Sequence, residues 1–506
     1  FVFFYCTNLF AQQADIPTPQ WRPLYHFTPL KNWTNDPNGL IYINGVFNLY
    51  NQQNPFENKW GHMSWGHATS TDLVHWNHLP IAIPETINKD TTWIFSGSAV
   101  LDKNNTSGFC KTKNCIIAVY TAHQPNLEKE SQYIAYSNDG GITFTNYNDN
   151  PVIDLHRKDF RDPNVFWYEN TKQWVMVVSM VDEHKVRIYG SPDLKSWNLL
   201  SEFGPQGYIK ANWECPFLIQ LPVDNNTSKQ KWVLVTSAAG RERGIYEQYF
   251  VGNFDGKTFT NDNPADTVLT LDYGDSFYAS IPWNNLPPRK KIFVGWMVPQ
   301  AQETYPWRGQ MSIPRDLSLR TTKEGIRLYQ EPTAVIKNNL AKLSSNNEFE
   351  LKNIRINGTG QNIFKGKNIH GNSYWLKDEL NVEPNANAGF SIAEKKDKDN
   401  KVTSATMIGY DAVKQQVYID RSKSGNEKLN SKNERLTASV PETNGKIKLE
   451  ILLDKSSLEV FVNNGEKVLT TYIFPAIGAD NLSAYSDGGN TLMPTLKFWN
   501  LSGIAH

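Results

Sequence analysis

The sequence predicts an all-β chain, a five-bladed β-propeller followed by a C-terminal β-sandwich, on three observations. Short runs rich in β-branched and aromatic residues dominate, such as Trp174-Val175-Met176-Val177-Val178 and Trp232-Val233-Leu234-Val235. Long amphipathic helical patterns are absent from the sequence. A polar turn ahead of an aromatic recurs at Ser70-Thr71-Asp72, Ser137-Asn138-Asp139, Ser191-Pro192-Asp193 and Asn253-Phe254-Asp255, spaced roughly 60 residues apart, the length of a three- or four-stranded blade.

The elements follow in chain order. Residues 1–20 read as the remnant of a signal peptide and an N-terminal extension: Phe1 to Ala11 is apolar but too short to span a bilayer. The implied location is export, periplasmic or extracellular, with Cys6 leaving with the signal. From residue 21 to 332 the four turn phrases mark four blades, the first with a strand pair turning at Asn44-Gly45. A fifth unit without the phrase runs from Leu271 through Ile292-Phe293-Val294-Gly295-Trp296-Met297 to Leu319. Residues 333–346 form a linker of helical character. From 347 to 506 the alternations Ile447, Leu449, Ile451, Leu453 and Leu458, Val460, Val462 predict a sandwich.

Composition narrows the function. Lys and Arg together number 51, as do Asp and Glu, so nothing favours nucleic acid or an anionic membrane as partner. A neutral ligand fits better, and 16 Trp suit strand cores and sugar-stacking platforms alike. Cys110 and Cys115 flank a short loop that an oxidising compartment would bridge. Four cysteines without paired C-x-x-C spacing argue against zinc. His26, His62, His67, His75 and His78 cluster early, without a helical ligand spacing.

Three acids carry the chemistry. Asn35-Asp36-Pro37-Asn38 is echoed by Arg161-Asp162-Pro163-Asn164, and Trp213-Glu214-Cys215-Pro216 places a third acid before a proline and an apolar run. A single Asp-Pro is commonly a turn. Three acids opening the first, third and fourth units, in strands that line a propeller's channel, converge on one axis. The repetition reads as one structural unit reused to present a carboxylate. Glycoside hydrolysis needs a proton donor and a nucleophile or base on opposite sides of the scissile bond; the short Asp36 suits a rigid nucleophile, the longer Glu214 a proton donor, and Asp162 a stabiliser of the cationic transition state.

At these residues the sequence resembles glycoside hydrolase family 32, the β-fructofuranosidases, over nearly the whole chain from Trp21 onward. Tyr25-His26-Phe27-Thr28-Pro29 leading into Trp33-Thr34-Asn35-Asp36-Pro37-Asn38-Gly39 matches the family's nucleophile motif, Arg161-Asp162-Pro163 its stabilising motif and Glu214-Cys215-Pro216 its acid/base motif. The resemblance implies a retaining exo-β-fructosidase acting on levan, inulin or sucrose through a fructosyl ester on Asp36. It implies that Asn35, Gln52, Ser96 and Arg161 bond sugar hydroxyls, that Trp60, Phe95 and Trp296 form apolar walls, and that neither metal nor cofactor takes part. The wording departs from the family's at Thr34, Asn51, Phe217 and Ser276, the first three near the expected pocket, which puts linkage preference and leaving-group contacts in doubt. Endo-acting fructanase, fructosyl transfer and non-catalytic fructan binding are the alternatives.

Overall fold

The structure is a computed structural model that describes residues 18–87, 91–240, 244–299, 304–344, 347–367, 369, 371–425, 435–441 and 445–504. The expected signal segment and Cys6 lie outside the described residues.

Five four-stranded blades surround a common axis. Their innermost strands are Asn32–Ile43, Trp93–Leu101, Phe160–Tyr168, Asn212–Val223 and Tyr278–Pro282. Each pairs antiparallel with the next strand of its blade. The ring closes where Trp307–Arg308 runs parallel to Asn32 and Trp33. The four turn phrases fall where the sequence suggests, between the third and fourth strands of blades 1 to 4. In blade 1 the Asp72 carboxylate accepts the backbone N–H groups of Val74 and His75 at 2.9 and 2.8 Å. Asp193 repeats the bond pattern with Lys195 and Ser196 at 2.9 and 2.7 Å, and Asp255 with Lys257 and Thr258 at 2.8 and 2.7 Å. The aspartate therefore recurs because a short side chain must replace the lost ladder bonds at a tight turn.

One feature common to all five inner strands was not readable beforehand. Strand pairing breaks register between Thr34 and Pro37, Ile94 and Gly97, Arg161 and Asn164, Glu214 and Phe217, and Tyr278 and Ile281. Each break sets two inner-strand residues against one on the neighbour, a β-bulge that re-aims side chains toward the axis. In blades 3, 4 and 5 the first bulged residue, Asp162, Cys215 or Ala279, has φ of 67°, 48° or 54°, a left-handed conformation uncommon outside glycine.

The bulges correct the reading of the repeated Asp-Pro-Asn. Aligned on them, Pro37 matches Asn164, not Pro163, so Asp36 is the second bulged residue and Asp162 the first. Glu214 stands just before its bulge. The acids occupy three successive steps of one backbone device and are not copies of one unit.

Beyond Pro332 the expected helical stretch forms the helix Ala334–Leu343, which buries Ile336 and Leu340. Asp316 of blade 5 caps it, accepting the Ala334 N–H at 3.0 Å and the Thr333 hydroxyl at 3.1 Å. The sandwich follows. Its strand Asn481–Asn500 serves both layers, pairing through residues 481–487 with Asn387–Lys396 and through 491–500 with Ser373–Val382. Leu376, Phe390, Ile408, Ile451, Val460 and Phe498 fill the space between the layers.

A buried charge network joins sandwich to propeller. Asp454 accepts the backbone N–H groups of Leu24, Tyr25 and His26 at 2.7, 2.8 and 3.1 Å. The His26 ring lies 2.9 Å from Asp454 on one nitrogen and 2.9 Å from Glu459 on the other. Arg315 of blade 5 pairs with Glu459 at 2.5 Å and Asp272 at 3.0 Å. Gly274 is required here, because a Cβ would meet the Thr470 backbone oxygen at 1.9 Å. The motif Leu453 to Phe461 supplies both sandwich carboxylates.

Burial opposes charge on His26, but its bonds to Asp454 and Glu459 prevail and raise its pKa to about 9. A folded-state pKa above the unfolded value near 6.5 means that the stabilisation is complete below pH ~6.5 and is lost as pH rises through ~9. The predicted loss is on the order of 3 kcal/mol across that window, from about 1.4 kcal/mol per pKa unit. His26→Ala leaves the buried Asp454 without its cationic partner and Glu459 with Arg315 alone, and costs about 3–5 kcal/mol. Thermal unfolding followed by circular dichroism at pH 6.0, 7.5 and 9.0 tests both: the wild-type midpoint falls across the series, whereas the variant starts lower and changes less.

Candidate active site

At the channel mouth each of the five inner strands contributes a polar group, Asp36, Ser96, Asp162, Glu214 and Tyr278, and two contribute a second, Asn35 and Arg161. They border a cavity of about 360 Å³ whose lining includes all ten residues singled out from the sequence, Asn35, Asp36, Gln52, Trp60, Phe95, Ser96, Arg161, Asp162, Glu214 and Trp296.

Asp36 is held from both sides. The Ser96 hydroxyl donates to Oδ2 at 2.5 Å and the Asn35 amide to Oδ1 at 3.0 Å. Asn35 is itself fixed by the Trp33 indole N–H, 2.9 Å away. Burial raises the Asp36 pKa above the ordinary carboxylate range, the Ser96 and Asn35 bonds pull it down, and Glu214 pushes it up.

Glu214 receives Arg161 through Nε at 3.1 Å and Nη2 at 2.9 Å on one oxygen, and the Tyr278 hydroxyl on the other. Arg161 is fixed in turn by Glu130 at 3.1 Å and Asp159 at 2.9 Å. These surrounding carboxylates outweigh the cost of burial and keep the guanidinium charged.

Asp162 accepts the Cys215 N–H at 2.9 Å, and its own N–H donates to Thr121 at 3.0 Å. Burial raises its pKa, Arg161 opposes the rise, and Glu214 and Asp36 add to it. The Cys215 sulfur is 3.6 Å from Asp36 and 3.5 Å from Asp162. One ligand atom each from Asp36, Asp162 and Cys215 lies within 4.8 Å of the others. Burial and both aspartates push the Cys215 thiol well above its usual range, which keeps it protonated.

The aromatic residues of the lining differ in setting. Trp60 is 53% exposed at the rim, edge-on to Trp93 at 5.4 Å. Phe95 lies flat on His123, with ring centres 4.3 Å apart. Trp296 meets Trp33 edge-on at 5.9 Å. Gln52 lines the cavity and donates to the Ile94 carbonyl at 2.8 Å.

The early histidines do not converge. His62 faces Glu85 and His75 faces Asp72, both through Nδ1, His67 faces Asn48, His78 stacks on Phe27, and His26 sits at the domain junction. The departures at Thr34, Asn51 and Phe217 lie behind the wall. Asn51 donates to the Thr34 hydroxyl at 2.8 Å, which donates to the Gln52 carbonyl at 3.0 Å, and Phe217 is wholly buried. None of the three is among the residues lining the cavity.

Sequence reading missed Tyr278, Glu130, Asp159, His123 and Lys158, all of which line the cavity. Tyr278 had a signal in its place on the fifth inner strand; Glu130 and Asp159 had none. It also missed Glu247, wholly enclosed, which accepts the Ser280 N–H at 2.8 Å and the Ser280 and Ser237 hydroxyls at 2.7 Å each. Burial lifts its pKa to about 7 against those bonds. Glu247 clamps the blade 5 bulge one residue beyond Ala279, next to the tyrosine that touches Glu214.

Comparison with known proteins finds matches along nearly the whole chain. Residues 26–332 match the glycosyl hydrolases family 32 N-terminal domain, and residues 339–500 the family 32 C-terminal domain. The chain is 42% identical to a levanase of Bacillus subtilis over 97% of its own length and 72% of that protein. It is 38% identical to an extracellular exo-inulinase of Aspergillus ficuum, covering 93% of both. The crystal structure of exo-inulinase from Aspergillus awamori superposes with a TM-score of 0.86 at 36% identity, over 96% of this chain and 99% of that one.

The Cys215 environment makes a direct prediction. In the folded protein at pH 8 the thiol resists alkylation by iodoacetamide, whereas in denaturant it reacts at the rate of an ordinary cysteine. Mass spectrometry of timed samples reads both; fast labelling of the native chain would contradict the buried, protonated thiol.

Proposed function

The chain belongs to glycoside hydrolase family 32, and we propose that its channel-mouth cavity removes terminal β-D-fructofuranosyl units from fructans or sucrose through a covalent ester on Asp36. The observation that carries the reading is the pairing of an aspartate held rigidly by Ser96 and Asn35 with a longer carboxylate, Glu214, held by Arg161 and Tyr278. In the first step an Asp36 oxygen attacks C2 of fructose while Glu214 gives its proton to the departing oxygen. In the second, Glu214 takes a proton from water, the water oxygen bonds to C2, and the ester breaks to release fructose and free Asp36. Asp162, within 4.8 Å of Asp36, binds sugar hydroxyls and steadies the positive charge that develops at C2. Gln52, Asn35, Ser96 and Arg161 orient the sugar, and Trp60, Phe95 and Trp296 enclose its apolar faces.

A cavity of about 360 Å³ lies near the lower end of small-molecule pockets. That size favours a chain end over a polymer threaded through, hence exo action. The Cys110–Cys115 disulfide and the extracellular relative support export. No helix among the described residues is long and apolar enough to cross a membrane.

Incubation with levan, inulin and sucrose, with products resolved by size, tests the reading. Fructose alone is expected, and an early ladder of oligosaccharides would replace exo with endo action. Asp36→Asn lowers kcat by about 10⁴-fold or more and Glu214→Gln by about 10²–10⁴-fold; near-normal turnover by either variant would overturn the assignment. Ser96→Ala removes a bond that lowers the Asp36 pKa. Because the reaction needs Asp36 ionised, the acid limb of kcat/KM moves upward, by about one pH unit for a charge-assisted bond.

A further inference from the structure

We propose that the sandwich carries a second carbohydrate site, which takes fructosyl units of a fructan chain in a groove on its outward face. The groove encloses about 460 Å³, more than the catalytic cavity, and crosses the strands Asn387–Lys396, Val402–Asp411, Gln416–Lys423 and the first half of Asn481–Asn500. Strand alternation explains its lining. Phe390, Ile392, Ile408, Ile419 and Ala484 point into the sandwich core, so Ser391, Met407, Asp420, Ser483 and Tyr485 face the other way. On an ordinary solvent face such residues would be exposed. Ser391 and Ser483, paired across the sheet, are buried instead.

The backbone makes room for the groove. Register breaks between Ile392 and Lys395 and between Ala405 and Met407 bend two of its strands. On the same strand Gly409 leaves space for two phenols, one of them the groove-lining Tyr485: a Cβ there would lie 2.1 Å from the Tyr485 hydroxyl and 3.1 Å from that of Tyr418.

Two polar groups in the groove are left incompletely hydrogen-bonded by the described residues. Glu394 is 1% exposed, and one of its oxygens accepts the Ser483 hydroxyl at 2.5 Å. The other accepts no hydrogen bond among the described residues and is only loosely ion-paired with Lys396 at 3.6 Å. The Ser404 hydroxyl, 7% exposed, likewise makes no hydrogen bond among the described residues. Buried polar groups are nearly always satisfied, and leaving one unsatisfied costs about 1–3 kcal/mol. A polyol satisfies both at once: one hydroxyl donates to Glu394, another exchanges bonds with Ser404, and Met407 meets the sugar's C–H face. The mixed charges of Asp420 and Lys423 at the edge suit a neutral ligand. The choice of fructan among polyols rests on the function proposed above; the hydroxyl-reading chemistry does not.

The test uses the full-length Asp36→Asn chain, so that ligand survives, titrated calorimetrically with inulin oligomers and with low-mass levan. Two classes of site per chain are expected. Adding Ser404→Ala or Glu394→Gln weakens one class about tenfold or abolishes it, the effect of one or two lost bonds. With Asp36 intact, both variants hydrolyse sucrose normally but show a raised KM on long levan. Ser404→Ala also separates binding from scaffolding, since deleting an unsatisfied hydroxyl leaves the melting temperature unchanged or higher. One site per chain, or isotherms and levan KM that ignore both substitutions, would overturn the proposal. Failure of the wild type to cleave sucrose while two-site binding persists would instead count against the catalytic reading alone.

Discussion

Everything at the channel mouth depends on the β-bulge that all five inner strands make at the same height. A regular strand sends alternate side chains to opposite faces, so no three successive residues can serve one point on the axis. The bulge relaxes that rule. It lets Glu214, Asp162 and Asp36 reach one space from three successive backbone positions on three blades. The neighbouring blade holds most of these bulges in place: Gln52 bonds the Ile94 carbonyl, Thr121 takes the Asp162 N–H, Asp162 takes the Cys215 N–H, and Ser237 takes the Ala279 N–H. Substrate geometry and ring closure are therefore set by the same few bonds.

That arrangement also governs the electrostatics. Three carboxyl groups crowd one space, and burial makes the two aspartates, Asp36 and Asp162, costly to charge. The surroundings compensate unequally. Asp36 has two donors aimed at it, Glu214 has a guanidinium and a phenol, and Asp162 has one backbone N–H and a share of Arg161. The difference in donors, more than the difference between Asp and Glu, gives the acids different chemical characters.

Much of this was legible in the sequence, and the reasons are local. The Asx turns at Asp72, Asp193 and Asp255 can be read because one residue satisfies its own neighbours, and their repetition revealed the blades. The cavity-lining residues in motifs, from Asn35 to Trp296, were found because the motifs are contiguous. What stayed hidden was register. Nothing in Asp36-Pro37-Asn38 and Asp162-Pro163-Asn164 discloses that one is displaced by a residue from the other, since that depends on hydrogen bonds to Gln53 and Ser179 on different strands. Glu130 and Glu247 were invisible for a related reason: they act across blades, on partners 31 and 33 residues away, without a sequence pattern of their own. The groove on the sandwich has the same character, assembled from single serines whose burial only the curvature of a sheet creates.

The junction at His26 bears on how such chains can be recombined. The two halves resemble interchangeable modules, each with its own family domain, and the helix Ala334–Leu343 between them looks like a natural place to exchange one for another. The charge network forbids a free exchange. Among the described residues, Asp454 and Glu459 of the sandwich are neutralised by His26 and Arg315 of the propeller, so a sandwich grafted to a foreign propeller carries two buried carboxylates without their partners. The two domains can drift in surface and specificity separately, but they are bound to be inherited together.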